Sequence, residues 1–133
     1  MNKIALDTNI LIYNHGLDGN PKRLISEKFF RENPVISPQV ISEYINVMQR
    51  FFKIEKSELI EMCAKWLKLC TIQPIVFSTI ERAQYLIKKY DFQIFDGIIV
   101  ASALEAGCGI LYSADMQDSL VVEKTLTIVN PFK

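Results

Sequence analysis

The hydrophobic pattern changes period repeatedly along the chain, and each change marks an element. Ile4-Ala5-Leu6 is a short, bounded apolar run, which predicts a buried strand over residues 3–7. Thr8 and Asn9 are helix-capping types, and the apolar run Ile10-Leu11-Ile12 after them predicts a short helix over roughly 9–14. Asn14 to Pro21 is dense in turn residues and reads as a loop. Pro21 opens a helix to about Arg31, with Leu24, Ile25, Lys28 and Phe29 on its inner or bordering face. Beyond Asn33-Pro34, residues 35–37 read as a second strand, and Ser37-Pro38 caps a long helix. Its apolar positions include Tyr44, Met48, Phe51 and Phe52, a stripe wider than one core face needs. A helix over 55–70, with Leu59, Ile60, Cys63, Trp66, Leu67 and Cys70 inward, completes an antiparallel hairpin with it.

Ile72 to Phe77 reads as a strand with an irregular start at Pro74. Ser78-Thr79-Ile80-Glu81 has the form of a capping box and starts a helix to about Tyr90. The stretch Phe95 to Glu105, headed by Asp96, is apolar nearly all round, so this helix is expected to be buried. Strands over 110–112 and 126–129 follow, the latter expected to be the last. Strands alternating with helices predict an α/β protein: a three-layer α/β/α sandwich with a mainly parallel central sheet. The 133 residues suit one domain over 1–133.

Composition narrows the function classes. The formal net charge is zero, which argues against a basic, sequence-blind nucleic-acid binder but not against an enzyme that recruits cations. Three cysteines, Cys63, Cys70 and Cys108, form no metal or disulfide framework and suit a reducing cytoplasm. Lys3 and Asp7 interrupt the N-terminal stretch, so no signal peptide is expected, and no apolar run approaches ~20 residues, so no membrane span is expected.

The chemistry lies in four carboxylates. Asp7 follows the first strand, Glu43 sits early in the helix after the second, Asp96 heads the buried helix and Asp115 follows the strand at 110–112. In a parallel sheet, strand ends of one polarity share one edge, so these acids can converge. Asp118 is a candidate for the edge of that group or for an exposed turn. At an effective dielectric near 20, two carboxylates about 4 Å apart repel by roughly 4 kcal/mol, so a cluster calls for protonation or cations. Hard oxygen ligands select Mg²⁺ or Mn²⁺ over zinc, and such ions can activate water at a phosphodiester. Thr8, Asn9 and Ser113 are placed to orient the carboxylates.

Taken singly, each acid has a plainer reading: Asp7 as a helix cap, Glu43 as a solvated residue, Asp96 as a favourable N-terminal charge, Asp115 and Asp118 as turn residues. His15 reads as a loop residue rather than a base. Lys22, Arg23, Lys28 and Arg31 read as a wet face or as a patch that steers a polyanion.

The segments IALDTNILIY, ISPQVISEYINV, FDGIIVASALEAGCGILYSADMQDS and TIVNPF together resemble PIN-domain ribonucleases, most closely the VapC toxins of bacterial type II toxin–antitoxin pairs. Asp7, Glu43, Asp96 and Asp115 match that family's acidic positions, and Thr8 and Asn9 its first motif. Gly97 stands where Ala usually follows the third acid, and Ala114 where Glu often precedes the last. The resemblance implies RNA cleavage with Mg²⁺ or Mn²⁺ held by the four acids and a cognate antitoxin protein as partner. The wide apolar stripe of the hairpin adds the expectation of a homodimer. Two alternatives are a haloacid-dehalogenase-like phosphatase with Asp7 as nucleophile, which has Asn9 where that chemistry uses a second acid, and a non-catalytic module on the same fold.

Overall fold

A computed structural model describes residues 2–14 and 21–133. The loop expected over 14–21, with His15, lies largely outside the described residues. The strands are β1 (Ile4–Leu6), β2 (Val35–Ile36), β3 (Thr71–Ile72), β4 (Ile110–Tyr112), β5 (Val121–Val122) and β6 (Leu126–Val129). The helices are α1 (Thr8–Asn14), α2 (Pro21–Phe29), α3 (Pro38–Phe51), α4 (Lys56–Leu67), α5 (Phe77–Tyr90) and α6 (Ile94–Glu105), with a 3-10 turn over Phe30–Glu32.

The strands form one sheet in the order β3-β2-β1-β4-β6-β5, flanked by helices as a three-layer α/β/α sandwich. Every pairing is parallel except β5 with β6. From β1 the chain builds outward to β2 and β3, then returns to the other side of β1 with β4. Strand order therefore reverses between β1 and β4, and the crevice outside their C-terminal ends is where ligands bind in such sheets. The central strands are apolar on both faces because both are covered: Ile4, Leu6, Val35, Ile36, Leu111 and Ile128 are all buried.

Pro38 sits in the first turn of α3, and the Ser37 hydroxyl accepts a hydrogen bond from Val40 N at 3.2 Å. Tyr44, midway along α3, meets Trp66, late in α4, with ring centroids 5.4 Å apart, so the two helices pack against each other. In α6 the run Ile99 to Ala103 is buried, in accord with its apolar character, but the head of the helix is not, with Phe95 59% exposed.

Several local expectations are corrected. The face of α2 is rotated: Leu24 is 64% exposed, while Ser26 and Phe29 are buried. Ile60 of α4 is 60% exposed, leaving Leu59 and Cys63 to make the contact. Of the wide stripe on α3, Tyr44 and Met48 are core, whereas Phe51 and Phe52 stand exposed at the C-terminal end. Helix α5 begins before the expected capping box. Val76 N donates to Thr79 Oγ1 at 3.1 Å, while the Ser78 and Thr79 hydroxyls donate to Glu105 of α6. Of the expected 72–77 strand only Ile72 belongs to β3, which begins one residue earlier at Thr71 and stops short of Pro74, a residue with no N–H to extend the ladder.

The strand β5 and its hairpin with β6 were not expected. Their turn places Glu123 and Lys124 at φ 50° and 64° without a glycine. The turn is fastened from outside: Tyr90 Oη donates to Glu123 Oε2 and accepts from Glu123 N, both at 2.9 Å, and Lys89 Nζ donates to the same carboxylate at 2.7 Å.

Candidate functional site

Asp7 leaves β1 at the point where the ladder ends. Its backbone N–H donates to Tyr112 O at 3.0 Å, completing the pairing with β4, and its carbonyl accepts from Ile10 N as α1 begins. Its side chain is thereby carried into the crevice, 4% exposed. Oδ1 accepts from Thr8 N at 2.7 Å, and Oδ2 accepts from Ser113 Oγ at 2.8 Å and from Asn9 Nδ2 at 3.3 Å. Burial nevertheless dominates and pushes the Asp7 carboxyl up to about 6. The Ser113 and Thr8 hydrogen bonds pull the other way, and the nearby charges of Asp96 and Glu43 add to the rise.

Glu43 lies one helical turn beyond Gln39 on α3, and this spacing brings Gln39 Nε2 to its Oε1 at 2.8 Å. Its other oxygen, Oε2, accepts from Thr8 Oγ1 at 3.1 Å. Asp96, in the first turn of α6, is half-buried. Its carboxyl is also raised, first by burial and then by the charges of Glu43 and Asp115. Asp115 follows β4 and is exposed, its Oδ2 accepting from Asn9 Nδ2 at 2.9 Å. One amide group therefore serves both Asp7 and Asp115. The Asn9 carbonyl oxygen accepts from Ala114 N at 3.0 Å, which fixes the orientation of that amide.

The four acids thus face one another across the reversal point, close enough for their charges to interact. Asp118 points elsewhere, and its Oδ1 accepts from Asn130 N at 2.8 Å, bracing the end of β6. Among the described residues, no three acidic, histidine or cysteine side chains close around one point as a ready-made metal cage. Neutral donors from Thr8, Asn9, Ser113 and Gln39 engage the oxygens of Asp7, Glu43 and Asp115 instead. The donor set still fits a hard divalent cation, being all oxygen, and the raised Asp7 carboxyl is a local demand for positive charge.

The hydrophobic pattern did not single out Gln39, although its position four residues before Glu43 on one helix was a usable signal. On the basic face, Arg23 pairs with Glu27 at 3.1 Å and Lys22 Nζ lies 4.5 Å from the centre of the Tyr13 ring, while Lys28 and Arg31 are exposed. Both Asp7 oxygens are engaged by donors, and Asn9 occupies the position where a phosphatase would carry its second acid.

Residues 4–117 match the family model of the PIN domain. No curated protein matches the sequence. Several solved structures share the fold, three of them as follows. One is a toxin–antitoxin complex from Klebsiella pneumoniae (TM-score 0.69, 20% identity, 97% of each chain covered). Another is FitAcB from Neisseria gonorrhoeae (TM-score 0.67, 16% identity, 97% of this chain and 98% of that one). The third is a sarcin–ricin-loop-cleaving VapC toxin from Mycobacterium tuberculosis (TM-score 0.65, 13% identity, 82% of this chain and 87% of that one).

Proposed function

The chain belongs to the PIN-domain family, and from that premise we propose that it is a Mg²⁺- or Mn²⁺-dependent endoribonuclease, the toxin of a toxin–antitoxin pair. The observation that carries this reading is the buried Asp7 at the reversal of strand order, its carboxyl raised to about 6 among three further acids. Such a site gains most from binding positive charge, and the backbone of RNA needs positive charge at the point of cleavage.

Asp7, Glu43, Asp96 and Asp115 would hold the cation. When bound, it supplies activation of a water and stabilisation of the developing charge at the phosphodiester. The remaining residues position these acids. Ser113 and Thr8 N fix the two oxygens of Asp7, Gln39 and Thr8 fix those of Glu43, and Asn9 keeps Asp7 and Asp115 aimed at a common space.

The likeness to an RNA-cleaving toxin and to a toxin–antitoxin complex supports RNA as substrate and a cognate antitoxin as partner. The exposed Phe51, Phe52 and Ile60 on the α3–α4 hairpin support a homodimer through that face, which light scattering on the purified protein tests. Among the described residues no helix is long and apolar enough to cross a membrane. The free thiols of Cys63, Cys70 and Cys108 support a reducing, cytoplasmic setting.

The direct test is to incubate the Mn²⁺-loaded protein with total RNA and map the new ends. Discrete ends that disappear with EDTA are expected, and intact RNA under all metal conditions would overturn the reading.

A further inference from the structure

Beside the four acids the surface opens into a cleft of about 200 Å³. Asp96 and Asp115 form the edge it shares with the site just described, Phe92 and Gln93 come from the turn between α5 and α6, and Met116 and Gln117 come from the segment after β4. The two glutamines are exposed, and among the described residues their side-chain amides have no hydrogen-bond partner. Phe92 is half-buried, and its ring is set against that of Tyr90 at 5.7 Å between centroids. Tyr90 is itself tethered through its hydroxyl to Glu123.

The charge of the cleft decides what it can accept. Asp91, Asp96 and Asp115 line it, and no lysine or arginine does. A phosphate entering the cleft would be repelled, whereas a neutral group carrying N–H donors would meet waiting acceptors. An uncommitted glutamine amide presents one donor beside one acceptor, the pattern that matches the edge of a nucleobase. An aromatic ring held in place offers a base a face to stack on. The volume suits a single base better than a larger ligand.

We propose that this cleft is a base-binding subsite for one amino-bearing nucleobase (adenine, cytosine or guanine), splayed from single-stranded RNA beside the phosphate to be cut. Gln93 and Gln117 read its edge, and Phe92 supports its face. Asp91, the rim carboxylate outside the cation-holding set, accepts from the exocyclic amine, which disfavours uracil. The proposal rests on the nuclease reading of the adjoining carboxylates.

The test titrates adenosine, cytidine, guanosine and uridine separately into the protein and follows the side-chain amide NMR signals of Gln93 and Gln117. The amino-bearing nucleosides should shift both signals, with uridine about fivefold weaker or more, since a good bidentate contact discriminates by at least about that factor. In the Gln93→Ala/Gln117→Ala protein, the accompanying shifts at Phe92 and Met116 should vanish while the rest of the spectrum shows an intact fold. No response, an equal response to uridine, or a response that survives the double substitution would overturn the proposal. Nucleoside binding is read without turnover, so the two readings fail separately. A protein that responds to adenosine but cuts no RNA supports the subsite and contradicts the nuclease, while one that cuts RNA with no nucleoside response contradicts the subsite alone.

Discussion

Ser113 at the end of β4 donates a 2.8 Å hydrogen bond to Oδ2 of Asp7 at the end of β1, joining the two strands where the order of the sheet turns around. The same hydroxyl accepts from the backbone N–H groups of Asp115 at 3.2 Å and Met116 at 3.1 Å, and Ser113 is fully buried. Ser113→Ala therefore strips three hydrogen bonds and leaves buried groups unsatisfied. It should destabilise the protein by about 2 kcal/mol in urea unfolding, and raise the Asp7 carboxyl further. An unchanged midpoint would show that the hydroxyl does not organise this edge.

The pH dependence follows from the sign of the Asp7 shift. The folded-state value of about 6 lies above the ordinary 3.8, so the native state holds the proton more tightly than the unfolded chain. The contribution is favourable at low pH and is lost as pH rises from about 4 to about 6, by roughly 3 kcal/mol at most. In EDTA, the stability difference between wild type and Asp7→Asn should shift in favour of the variant across that window. Saturating Mn²⁺ should cancel the shift by stabilising the ionised wild type. A pH-independent difference in EDTA would contradict the burial of an ionisable Asp7.

Gly97 records a local exchange of volume between α5 and α6. A Cβ added there would stand 2.5 Å from Ile87 Cγ1 and 2.9 Å from Ile87 Cδ1. Helix propensity alone would make Gly97→Ala favourable by about 1 kcal/mol, but the clash reverses the sign, and we expect a net loss of about 1 kcal/mol or more. Combining it with Ile87→Ala, which removes both clashing atoms, should cost less than the sum of the two single changes. Additive costs would mean that Ile87 is not what fills the space.

The β5–β6 hairpin depends on a contact distant in sequence. Tyr90→Phe removes both hydrogen bonds between the tyrosine hydroxyl and Glu123, and should cost about 1 kcal/mol. The loss should be local, seen as faster amide exchange at Val122 and Thr125 with little change in the strands around β1. Uniform loss of protection would indicate that the hairpin unfolds only with the whole chain.

That hairpin also shows where sequence patterns stop being informative. Two left-handed residues at a Glu-Lys pair carry no turn signature, because the tyrosine and lysine that hold them come from α5. Leu24 and Ile60 misled for a related reason: periodicity marks an apolar residue but does not say which side of the stripe the neighbouring element covers. The β1–Asp7–α1 junction was legible because its signals are all local: a bounded apolar run, then a carboxylate, then capping residues. The gathering of Asp96 and Glu43 near Asp7 followed once parallel strands were inferred, since that topology alone places their elements at one edge. The donors that steer these carboxylates were only partly legible, with Gln39 hidden among the ordinary polar positions of α3.

The central claim is that the acids at this edge act together on RNA, and the most direct measurement compares Asp96→Asn with wild type. Both proteins, matched in secondary structure by circular dichroism, are incubated with the same RNA in Mn²⁺ and the new ends counted. Loss of cleavage by the variant, with its fold retained, is the expected result. Cutting at the same positions and at the wild-type rate would contradict the account.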